Sequence, residues 1–207
     1  MKKTYKYSLI VVIGTAIVIY FIINLHRNTV VNNLIDKNKT VTSMWSELYM
    51  NSNIRLKLID TLIRDNKIKS KVLDSLKIAL KDIKQIENLY KKESSIEFVK
   101  KQYDLNKIYI NVLKEYSNDS ILKQNQSDKV LTKLEEADSK SNVLIDKYND
   151  SALDYNKYIS IFPNFYFAKS NGFHKRKYFT IKYGSENEDP IIESKRLPSW
   201  AKDQDTI

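Results

Sequence analysis

Between Met1 and Phe162 the chain has one glycine, Gly14, and no proline. Glycine and proline interrupt helices and build turns, so so long a stretch without them is confined to long helices with short polar connections. Pro163, Pro190 and Pro198 all follow it. The helical period runs through the same stretch. Val31, Leu34, Val41, Trp45 and Leu48 share one face, with Asn38 as its polar member. Val72, Leu76, Ala79, Leu80, Ile83, Ile86 and Tyr90 make a second run, and Val99, Leu105, Ile108, Val112 and Tyr116 a third. Steps of three and four residues predict amphipathic helices. Ser117-Asn118-Asp119-Ser120 supplies turn and cap chemistry. The fourth run is the longest: Val130, Leu134, Ala137, Ser141, Leu144, Tyr148, Ala152, Tyr155, Ile159 and Phe162. No strand-like alternation competes with it. The expected fold is all-α, an antiparallel up-down bundle of long helices over residues 26–162.

Residues 7–25 read YSLIVVIGTAIVIYFIINL, 19 residues without a charge. At about 1.5 Å per residue they span roughly 28 Å, close to the thickness of a bilayer's hydrocarbon core. The run is longer than the apolar part of a signal peptide, and no small-residue cleavage site follows it. Residues 1–25 are therefore read as a flank and a single transmembrane anchor. No breaker separates the anchor from the first bundle helix. Lys2, Lys3 and Lys6 lie before the span, and Arg27, Lys37 and Lys39 after it. The positive-inside rule is nearly balanced and leaves the side of the bundle open.

The fourth run closes with YNDSALDYNKYISIFP. Tyr148-Asn149, Tyr155-Asn156 and Phe162-Pro163 recur at seven-residue intervals. Seven residues are almost two turns, so Tyr148, Tyr155 and Phe162 fall nearly in line, drifting ~20° per repeat. They are expected in the packed seam. Asn149 and Asn156 form a second line beside it, either bonded to a neighbouring helix or facing water. Pro163 cannot continue the helix and ends it.

That segment, followed by Ala168, Gly172-Phe173 and Tyr178-Phe179, resembles the closing segment of the LemA family. Upstream, Val41 and Trp45-Ser46 are similar to the family's Val…Trp-Ser element, and Leu58-Ile59…Leu62 to its Leu-Ile-Pro-Asn-Leu element. Leu113-Lys114-Glu115-Tyr116 stands in place of its Ala-Glu-Ala-Tyr-Pro. The chain departs from the pattern at Asp60-Thr61 and Ser117, where the family has prolines, and at Phe165, where it has asparagine. The resemblance implies a bacterial inner-membrane protein with one N-terminal transmembrane helix and a helical bundle. It brings no catalytic residues to carry over, and its usual topology places the short N-terminus outside.

Little in the sequence points to catalysis. There is no phosphate-binding glycine loop, H-E-x-x-H or nucleophile elbow, and no cysteine. His26 reads as an interfacial residue and His174 as part of a basic run. Neither has partner ligands at useful spacing, so no metal or cofactor is expected. Glu135-Glu136-Ala137-Asp138 reads as a solvated face, because adjacent helical residues do not face one another. An interior site would have to come from scattered residues such as Asn149, Asn156, Tyr116 and Lys114.

With 35 basic and 25 acidic residues the net charge is +10. Residues 163–184 hold five basic residues and no acid, interleaved with aromatics. One reading folds Phe165, Phe167, Phe173 and Phe179 back onto the open end of the bundle. Another docks the segment on a partner or a membrane interface. Nucleic acid fits poorly with a tethered chain. The tail, 185–207, with Trp200 as its only large anchor, is expected to be irregular. The leading functional expectation is a non-enzymatic interaction or scaffold protein. It binds the lipid bilayer through residues 7–25 and engages other membrane or envelope proteins. The candidate recognition residues are Trp45, Ser46, Tyr148, Asn149, Tyr155, Asn156, Phe162, Pro163, Gly172, Phe173, Tyr178 and Phe179. A ligand-binding module or enzyme inside the bundle is the alternative, and a self-associating membrane-organising protein a third.

Overall fold

The structure, a computed structural model, describes the backbone of residues 2–65, 71–86, 96–118, 127–179 and 182–184, and the side chains of most of these residues from Val12 onward. Five helices occur among them: α1 (Lys2–Asp65), α2 (Lys71–Ile86), α3 (Ile96–Asn118), α4 (Ser127–Ser160) and α5 (Asn164–Ser170). No strand occurs among the described residues. Tyr90, Asp119-Ser120 and the tail with Trp200 lie outside them.

The all-α expectation holds, and the four periodic runs are the four long helices. α1 is unbroken through Asp60-Thr61, where the family has a proline. Arg64 pairs with Asp60 one turn back at 2.7 Å, and the Thr61 hydroxyl donates to the Lys57 carbonyl. The stretch 7–25 lies inside α1. Among the described residues no helix is long and apolar enough to cross a membrane.

The chain divides into two compact units, and α1 and α4 contribute to both. The first comprises Met1–Lys39 and Asp154–Lys175. Here α4 runs antiparallel to α1. Lys37 pairs with Asp154 at 2.5 Å, Asn33 donates to the Tyr158 hydroxyl, and the His26 ring meets Phe167 at 6.0 Å. Val30, Leu34, Tyr155, Ile159 and Ala168 are buried.

α4 stops at Ser160, two residues short of its expected end. Phe162 therefore sits in a turn rather than in the seam and is 73% exposed, which corrects its assignment to the packed line. The Asn164 amide donates to the Tyr158 carbonyl, occupying one acceptor of the last turn. α5 was not foreseen inside the closing segment. It ends in a Schellman turn: Gly172 donates to the Lys169 carbonyl and Phe173 to that of Ala168. Gly172 takes φ +73° there, a conformation that favours glycine.

The second unit comprises Thr40–Leu153 and Arg176–Ile207. At one level Leu56, Ile59 and Leu62 of α1 pack with Leu76, Leu80 and Ile83 of α2, Leu105 and Val112 of α3, and Leu134 of α4. Farther back along α1, beside Trp45 to Arg55, an extended segment packs against α1, α3 and α4, and the candidate site lies there.

Candidate functional site

Two amides on α4, seven residues apart, hold this segment by its backbone. The Phe179 N–H donates to Asn149 Oδ1 and the Asn149 amide donates to the Phe179 carbonyl, both at 2.8 Å. Asn142 repeats the clamp on Tyr183, with distances of 2.7 Å and 3.2 Å. The Tyr148 hydroxyl donates to the Lys177 carbonyl, and Asn106 on α3 donates to that of Lys182. The segment gains no hydrogen bonds from a sheet, so side-chain amides satisfy groups that burial would otherwise leave unpaired. Asn149 thus bonds to the backbone of an extended returning segment, an option outside both expectations for it.

Two aromatic side chains of the segment enter the bundle. Phe179 joins an aromatic cluster around Trp45, whose ring also meets Phe98 and Tyr148 at centroid distances of 5.7 and 5.8 Å. Tyr183 lies over the Arg55 guanidinium at 4.5 Å, with Tyr109 on the same group at 5.6 Å. Arg55 is completely buried. Its Nε donates to Asp138 at 2.5 Å and Nη2 donates to Asn106 Oδ1. Beside this pair Asn51 donates to Ser141 Oγ and the Ala137 carbonyl. Arg55 Nη1, both ends of the Gln102 amide and the Tyr109 hydroxyl are buried without a hydrogen-bond partner in the structure.

This geometry corrects the expectation for residues 135–138. Glu135 and Glu136 are exposed, but Ala137 and Asp138 face inward. Burial raises the pKa of the Asp138 carboxyl despite Arg55, which pulls it down. Burial also raises Tyr109, again against the pull of Arg55. It pushes the Tyr183 phenol from its ordinary value of 10 up to about 12. The neutral phenol is thus favoured in the fold. Its contribution is complete below pH 10 and is lost as pH rises through about 12. Over that window Tyr183→Phe should lose about 2–3 kcal/mol less stability than the wild type, as read by denaturant unfolding at each pH.

Gly184 closes the segment with φ +63°, and a Cβ there would lie 3.1 Å from Asp138 Oδ2. That carboxylate is held by Arg55 and cannot move freely. Gly184→Ala should therefore cost about 2 kcal/mol, against about 1 for Gly172→Ala, which meets open space and carries only the left-handed backbone. Equal costs in thermal unfolding would contradict the contact.

The expected recognition residues divide between the units. Trp45, Tyr148, Asn149 and Phe179 come together in the second. Tyr178 is buried there, and Ser46 is exposed, its hydroxyl on the Thr42 carbonyl. In the first unit Tyr155 and Asn156 are buried, Pro163 and Phe173 half-buried, and Phe162 and Gly172 exposed. Of the four phenylalanines expected to fold back, Phe179 does so fully. Phe167 and Phe173 are half-buried and Phe165 is exposed, a correction to that reading. Lys114 is also exposed. Among the described residues no group of three His, Asp or Glu side chains could hold a metal ion.

Sequence reasoning missed Arg55, Asn106, Asp138, Asn142 and Tyr183. Two signals were present. Asn142 extends the Asn149–Asn156 line one step upstream, and Arg55 interrupts the apolar face between Trp45 and Ile59 at helical spacing. No curated protein and no solved structure matches the chain. Residues 44–193 match the sequence model of the LemA family, a span that takes in Trp45, Arg55, both clamps and the segment they hold, and the chain belongs to that family.

Proposed function

We propose that this chain is a membrane-anchored, non-enzymatic interaction protein of the bacterial inner membrane. Residues 7–25 cross the bilayer, and the bundle is a rigid platform for other membrane or envelope proteins. The observation that carries the anchor is the state of α1 before His26. Val12, Ile13, every residue from Ile17 to Ile23, and Leu25 are large and apolar, and each is at least half exposed. They occupy every side of the helix, and a helix apolar all round is at low free energy only in an apolar surrounding. The uncharged run begins still earlier, at Tyr7, which supplies the length. Support for a platform comes from the family motif. The Asn149 amide and the Tyr148 hydroxyl hold the chain's own closing segment, which stiffens the bundle.

In cells the full chain should stay in the membrane pellet through alkaline carbonate extraction. Val18→Arg/Ile19→Arg should move it to the supernatant, each arginine costing about 3 kcal/mol at the centre of a span. Release of the wild type would sink the anchor. For the platform, a photo-crosslinking residue at Met50 or Ile54, exposed and one turn apart on α1, should give discrete protein adducts. An absence of protein adducts at both positions would remove the platform reading.

A further inference from the structure

Within the first unit, the turn between α4 and α5 leaves large apolar side chains uncovered. Ile161, Phe162, Phe165 and Tyr166 are all exposed. The Phe165 and Tyr166 rings stack at 4.0 Å, and Phe162 meets them at 6.2 and 6.1 Å. Aromatic side chains carry large apolar area, and such a cluster is costly to leave in water.

Its position is set by contacts inside the same unit. Going up α4 means going down α1: Asp154 meets Lys37, Tyr158 meets Asn33, and Phe167 in α5 meets His26. His26 directly follows the uncharged run. The aromatic turn thus lies beside the level at which α1 leaves that run. The charge pattern is one-sided in the same place. Residues 1–35 and 155–175 contain no acid, whereas Arg27, Lys157, Lys169 and Lys175 fall there. The unit's acids, Asp36 and Asp154, lie farther from the run.

We propose that the α4–α5 turn is a second membrane contact, with Phe162, Phe165 and Tyr166 seated in the interfacial layer of the leaflet from which α1 emerges. The neighbouring lysines face anionic headgroups. Amphipathic aromatic rings favour that layer, and basic residues near it gain from anionic lipid. The contact would fix the first unit against the bilayer instead of leaving it hanging from one helix. It rests on the anchor reading.

The chain has no cysteine, so single reporter thiols can be placed at will. Phe162→Cys and Tyr166→Cys, with Ile17→Cys in the uncharged run and Glu136→Cys on an exposed face of α4, are each labelled with a nitrobenzoxadiazole fluorophore. The full chain is then reconstituted in nanodiscs containing phosphatidylglycerol. Labels at 162 and 166 should be quenched by lipid bearing a shallow doxyl group and lose most of their quenching by aqueous iodide. Ile17 should respond to a deep doxyl group, and Glu136 only to iodide. If 162 and 166 are open to iodide while Ile17 is deep, the interfacial contact is wrong and the anchor stands. If Ile17 is open to iodide, the anchor reading falls and this inference with it. Labels at 162 and 166 shielded from both quenchers would mean that protein covers the turn, which also overturns the proposal.

Discussion

An Arg55→Met chain loses about 3–5 kcal/mol of folding stability, the range measured when one member of a buried ion pair is removed. Methionine keeps much of the volume of arginine, so the loss is electrostatic rather than a cavity. It leaves the Asp138 carboxylate buried without its cation, beside Gly184, and removes the guanidinium from the Tyr183 ring. It also removes the donor to Asn106. Asp138→Leu alone should cost a similar amount, because it strands the guanidinium instead. The double variant Arg55→Met/Asp138→Leu should recover most of the loss, since two apolar groups need no partner and often match a buried pair in stability. Denaturant unfolding of the full chain in detergent, followed by circular dichroism, gives all four corners of the cycle. A single substitution costing under about 1 kcal/mol, or a double variant no better than the singles, would contradict an ion pair sealed in the core.

Asn149→Leu and Asn142→Leu should each cost roughly 2–4 kcal/mol. Each strands one backbone N–H and one carbonyl, and an unsatisfied buried group costs about 1–3 kcal/mol. Leucine fits the shape of asparagine closely, so packing contributes little. The effects should not add. Both amides hold one segment, so once the first clamp is lost the second has less left to stabilise. Hydrogen exchange gives a local readout. In the wild type the Phe179 and Tyr183 amides are bonded to these side chains and should be protected. Asn149→Leu should speed exchange at Phe179 by more than at Tyr183, and Asn142→Leu the reverse. Unchanged protection at the substituted clamp would show that the amide is satisfied in another way.

The four long helices were legible because burying one stripe of a helix imposes a period of 3.6 on the residues. Leu76, Leu80, Leu134, Tyr148 and Tyr155 are all buried as their spacing requires. The period says which side of a helix is covered and nothing of what covers it. Asp138 illustrates the limit. It lies at the edge of its helix's apolar stripe, where a carboxylate is soluble or buried depending on its neighbour. That neighbour, Arg55, lies 83 residues away in sequence. Asn149 belongs to a periodic line, but its partner is an extended segment with no period of its own. Phe162 shows the converse failure, because the seam was projected past the residue at which α4 ends.

By itself, then, the sequence determined the four long helices, the apolar faces, the uncharged run in α1 and the family, since each is written in local spacing or in a contiguous motif. Tertiary structure alone decided which polar residues form the core of the second unit and which aromatics stay outside. Hydrogen bonds and ion pairs are short-ranged and directional, so the worth of Asn142, Arg55 or Asp138 is settled only when folding brings its partner within about 3 Å.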